Sequence, residues 1–91
     1  MTIIEKTAKE LNMKPKNLLE ISLKTYLQQK LIKLDAEYFL IAKKYGVKDI
    51  FDLDKKIRKG FFSEEHTYED FFTFDNLQAE REKIEKILEK L

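Results

Sequence analysis

Cysteine is missing from this chain of 91 residues, so neither a disulfide nor a thiolate-held metal can staple it, as befits a reducing compartment. Proline occurs once and glycine twice, which leaves three strong punctuation points, Pro15, Gly46 and Gly60, for helices to start or stop. No window approaches 18 uncharged apolar residues. The opening Met1-Thr2-Ile3-Ile4-Glu5-Lys6 also lacks the basic flank and long apolar stretch of a secretory signal. The expected location is therefore the cytoplasm, with no membrane partner. There is no glycine-rich phosphate loop, no serine or threonine set beside a base, and a single histidine. Nucleotide and hydrolase chemistry thus have no support, and neither enzymatic activity nor a cofactor is expected.

Charge is abundant instead, at 38% of residues with a net of +1. The balance conceals a division. Residues 1–48 carry ten lysines and five acids (+5), and residues 49–91 carry eight Lys/Arg and twelve acids (−4). Such halves can attract each other within one copy or between copies, although two solvated helix faces would give the same count. Lysine and glutamate enrichment without cysteine resembles hyperthermophile composition. A chain of this size makes one domain, residues 1–91, and buries only roughly 60–65% of the surface its unfolded form exposes.

The spacing of apolar residues is helical throughout, with no strand alternation, repeat or low-complexity tract. Leu18 to Tyr45 contains neither glycine nor proline and is long enough for about 40 Å of helix. From Leu27 its apolar residues step by four and three through Leu31, Leu34, Tyr38, Ile41 and Tyr45, which draws a seam along one face. A second row, Ile32, Ala36, Phe39 and Leu40, widens the stripe, so more than one neighbour should cover this helix. Before it, Thr2 can cap a short helix with Ile4, Ala8 and Leu11 on one face, and Asn12 tolerates the left-handed turn that ends it. After it, Asp49 to Lys59 reads as a helix with Ile50, Leu53 and Ile57 inward. Phe61 to Thr67 reads as a connector in which Ser63 or Thr67 caps the last helix. That helix should run through Phe71, Phe74, Leu77, Ile84, Leu88 and Leu91, with a break or kink near Asp75. The expected fold is all-α, about four helices in a small bundle around one long central helix. Seams this long on a small chain favour a homodimer.

Ala8, Leu11, Asn12, Leu18, Leu19, Ser22, Leu23, Tyr26 and Leu27 resemble the helix pair of ribbon-helix-helix proteins. Those proteins read DNA with a β-ribbon, for which Met1 to Lys6 leave too few residues. Ala8, Asn12, Leu18 and Ile21 also suit helix-turn-helix spacing over residues 4–27, which would place Met13, Lys14, Lys16, Asn17 and Lys24 near DNA. Across its whole length the chain resembles small archaeal helical proteins of the antitoxin type. The shared features are this opening, the helix ending Ala42-Lys43-Lys44-Tyr45-Gly46-Val47, a short amphipathic helix, and the acidic aromatic segment Tyr68-Glu69-Asp70-Phe71-Phe72 before a charged terminal helix. That resemblance implies a non-enzymatic protein that engages and restrains a partner, often a nuclease-type toxin; the alternative is a small DNA-binding transcriptional regulator.

The candidate partner-binding residues are Phe61, Phe62, Tyr68, Asp70, Phe71, Phe72 and Phe74. Adjacent Phe71 and Phe72 diverge by about 100° on a helix, so both cannot face one narrow seam, and an aromatic left outside is a preferred interface anchor. The plainer reading packs Phe61 and Phe62 at the bundle end and the others in the core. His66 could share a helix face with Asp70, a spacing able to hold one divalent ion or form an acid/base pair, but a single histidine in a polar connector is ordinarily solvated. Lys55, Lys56, Arg58 and Lys59 could touch phosphates or simply complement their helix dipole.

Overall fold

Thr2 opens the chain with a reciprocal cap. Its hydroxyl accepts from the Glu5 N–H at 3.4 Å while the Glu5 carboxylate accepts from the Thr2 N–H at 3.2 Å, which satisfies two orphan donors of α1, Ile3–Glu10. A computed structural model describing residues 1–91 continues through Asn12, left-handed at φ 57°, into α2, Pro15–Tyr45. This helix starts three residues ahead of Leu18 because proline in the first turn lacks only an N–H that would have no partner there. Gly46, at φ 64°, ends it, and the Val47 N–H turns back to the Ala42 carbonyl at 2.9 Å. Asp49 caps α3, Ile50–Arg58, by accepting from the Asp52 N–H at 2.8 Å. The last helix, α4, covers Glu64–Glu89.

One expectation for α4 changes: it runs unbroken through Asp75. Of the two candidate caps, Ser63 holds the N-cap position, and Thr67 lies in the first turn with its hydroxyl donating to the Ser63 carbonyl at 2.6 Å. The apolar residues on both sides of Asp75 share one face, so nothing favours a kink. Leu91 is exposed beyond the helix end.

The fold is all-α. The long helices α2 and α4 pair antiparallel, fixed by Tyr45 beside Asp70, Tyr38 on Phe74, and Asp35 with Arg81. Tyr38 and Phe74 stack with ring centres 4.5 Å apart, and the Arg81 guanidinium lies 4.2 Å from the Tyr38 ring centre while pairing with Asp35. Burial raises the Tyr38 phenol above its ordinary range, with Arg81 opposing. The α2–α3 link and α3 close this end, so the core gathers Tyr38, Ala42, Tyr45, Val47, Leu53 and Phe74 with Ile50 and Leu77. No helix is long and apolar enough to cross a membrane.

The other end is open. Toward the N-terminus, Leu27 is the last buried residue of α2; before it the neighbour is α1, whose only buried residue is Ala8. The whole measures 60 × 20 × 18 Å. The second apolar row of α2 is also uncovered, contrary to the expectation of a further neighbour. Ile32, Phe39 and Leu40 are 68%, 65% and 72% exposed, because α3 settles against α4 instead of behind α2.

Candidate protein-binding groove between α3 and α4

Helix α3 turns Leu53 and Ile50 into the core and rests Ile57 against it, and the Ile50 N–H donates to the Gln78 side-chain carbonyl at 3.0 Å. The neighbouring residue Phe51 points about 100° away and is 76% exposed. Along the seam between the helices runs a groove of about 480 Å³ lined by Ile50, Phe51, Phe71 and Ala79 and rimmed by Asp54, Asp75 and Glu82. Past Phe71 a second hollow of about 220 Å³ continues between Ile57, Tyr68 and Phe72, with Glu64 at its edge. Phe71 and Asp54 belong to both, so the two form one trough. Its floor is aromatic and aliphatic, and its rim is acidic. Asp54 is the one rim carboxylate held locally, by Arg58 at 3.0 Å.

The aromatic segment therefore divides. Tyr68, Phe71 and Phe72 line the trough, with Phe72 61% exposed, and Phe61 stands free in the connector. Phe74 does not serve as a partner anchor, since it is fully buried under Tyr38. Phe62 packs edge-on against Tyr45, ring centres 5.0 Å apart. Asp70 is turned to α2, where its carboxylate accepts from Lys44 Nζ at 2.7 Å and from the Tyr45 hydroxyl at 2.5 Å. Those donors, Lys44 first, hold the Asp70 carboxyl below its ordinary range. The same contact raises Lys44, and burial followed by the carboxylate raises Tyr45. Asp70 is a clamp between the long helices rather than part of the groove.

The residue missed from the sequence is Phe51. Its signal was its position one step off the Ile50, Leu53, Ile57 stripe, where an aromatic has no core to enter. The acids that matter are likewise Asp75 and Glu82, seven residues apart on one face of α4, rather than Asp70.

The chain matches the model of the Uncharacterized protein MJ0235 family over residues 1–91. It belongs to that family. No curated protein and no solved structure matches it.

The remaining candidates in this family member separate in space. Lys14, Lys16, Asn17 and Lys24 are all exposed, at the open end. Glu20 lies one helical turn from both Lys16 and Lys24, which interrupts the positive surface. Of the basic run on α3, Lys56 donates to the Gly46 carbonyl at 2.8 Å and Arg58 pairs with Asp54, so half of it is engaged locally. His66 is exposed, and no group of three or more histidine or acidic side chains converges as a metal site.

Proposed function

We propose that this chain is a cytoplasmic, non-enzymatic protein-binding module of antitoxin type, which engages and restrains a partner protein through the α3/α4 trough. The observation that carries this reading is the run of uncovered aromatic rings, Phe51, Tyr68 and Phe72, around the half-buried Phe71. Aromatic anchors beside an apolar pocket are where binding energy concentrates. The acidic rim selects the occupant. Helix α4 carries nine acids against three basic residues, which suits an amphipathic helix or strand with lysine or arginine along its edges. A basic nucleic-acid surface on a nuclease has that chemistry, and occupying it would block the enzyme.

The test is capture from native lysate before and after nuclease treatment, with the captured protein then purified and its own activity measured. Phe51→Ala/Phe72→Ala should weaken its binding by at least about tenfold, the loss expected for two anchors, and relieve its inhibition. Undiminished binding by that variant, or a partner whose activity ignores the module, would sink the proposal.

A second reading, a DNA-binding regulator using residues 4–27, draws on the exposure of Lys14, Lys16, Asn17 and Lys24 at the open end. It requires salt-dependent duplex binding that charge reversal at Lys14, Lys16 and Lys24 abolishes.

A further inference from the structure

Helix α2 carries two apolar faces, and only one is covered within the chain. Leu18, Thr25, Ile32 and Phe39 recur every seven residues, flanked by Ile21 and Gln28 on one side and by Gln29, Ala36 and Leu40 on the other. This strip holds no charged residue from Leu18 to Leu40, on a helix that otherwise has six lysines and three acids. It runs opposite the Tyr38 and Tyr45 face that meets α4. A seven-residue recurrence lays a seam that drifts by only about 20° per repeat, so another helix of the same recurrence can follow it by coiling gently around it over about 33 Å from Leu18 to Leu40.

We infer that this strip is a self-association surface, on which α2 of a second copy packs to make a homodimer. Three observations point to that occupant. Ile21, Ile32, Phe39 and Leu40 each leave more than half of their surface in water, on the order of 500 Å² together, which matches the largest patch of an ordinary monomer. Two such faces buried against each other remove about 1,000 Å², the size at which a specific interface begins. The strip also offers a charged partner nothing to pair with, whereas a two-fold axis sets it against an identical uncharged strip. Finally, Gln28 and Gln29 sit midway between the apolar ends, where their side chains can hydrogen-bond across the axis, a polar pair of the kind that fixes register between helices.

The α4 exterior offers no such face. The corresponding row carries Glu65, Phe72, Asn76, Ala79 and Lys83, charged at both ends, and its one exposed large apolar residue, Phe72, belongs to the trough. The dimer surface is separate from the α3/α4 trough, so the two readings stand or fall apart.

The experiment is the molar mass of the full chain by sedimentation equilibrium across a dilution series. Twice the 11.0 kDa of one copy is expected. Ile32→Glu or Phe39→Glu should weaken association by on the order of a hundredfold, because each places two unpaired charges at the buried seam. Both positions are exposed in one copy, so far-UV circular dichroism should show the helices intact. Lys83→Glu on α4 and Phe51→Ala/Phe72→Ala in the trough should leave the mass doubled. A chain monomeric at every concentration, or one still doubled with Ile32→Glu and Phe39→Glu, overturns the inference.

Discussion

The two ends of α2 are built from the same residue types and hold very different company. At the C-terminal end Tyr38 and Tyr45 meet α4, their hydroxyls donate to the Lys48 carbonyl and to Asp70, and α3 closes over Leu53. At the N-terminal end Leu19, Ile21, Leu23 and Tyr26 all remain more exposed than buried residues of their kind, with α1 as the neighbour. Apolar content alone therefore did not decide where the core lies. Neighbours decided it: α4 gives out near the level of Leu27, and the short α1, which buries only Ala8, is what meets the remaining turns.

Local stability should follow this contrast. The variant with the largest expected effect is Phe74→Ala, which removes a fully buried ring from the closed end. A loss of about 3–5 kcal/mol is expected, enough to unfold much of a small domain, as read by chemical denaturation. If it unfolded no more easily than wild type, the closed end would not be the seat of stability. Ile32→Glu marks the other extreme for one copy. Charge at an exposed helix position should change monomer stability by no more than about 0.5 kcal/mol, while abolishing the rise of melting temperature with concentration that a dimer confers.

Asp70→Asn tests the clamp through pH. The folded Asp70 carboxyl lies below its ordinary value, so its stabilisation is present above the unfolded value and drains away as pH falls through the folded one. Lys44 and Tyr45 are raised, so theirs is present below their unfolded values and drains as pH rises through the folded ones. The clamp is thus firm between roughly pH 4 and 10, and Asp70→Asn should flatten the acid limb of the stability profile. An unchanged acid limb would show the contact to be ornamental. A small and local effect belongs to the open end. Thr2→Ala should cost about 1 kcal/mol in α1 alone, seen as about fivefold faster amide exchange there with no shift in global unfolding.

Much of this architecture could be read from spacing and punctuation. Thr2, Asn12, Gly46 and Gly60 end or begin helices where their backbone preferences require, and the Leu27 to Tyr45 seam meets α4 as its period demands. The candidate site was less legible. Phe71 and Phe72 diverge as helix geometry dictates, but only the position of α3 determines that Phe71 and Phe72 border a trough while Phe74 is enclosed. Asp70 looked like a surface acid because its partners, Lys44 and Tyr45, lie some 25 residues away in sequence. Phe51 escaped because an aromatic beside a good core position resembles more core. Ile32, Phe39 and Leu40 were expected to be covered, and periodicity cannot say whether the cover comes from the same chain.

The elongation of the molecule bears on how its subunits must be counted. A single copy already has a radius of gyration of 19.1 Å, the value of a compact chain of about 300 residues. On a sizing column calibrated with globular standards, one rod of 91 residues would run well ahead of its weight and could pass for an oligomer. Elution volume confuses shape with stoichiometry here, and only a method that weighs the particle can tell one rod from two.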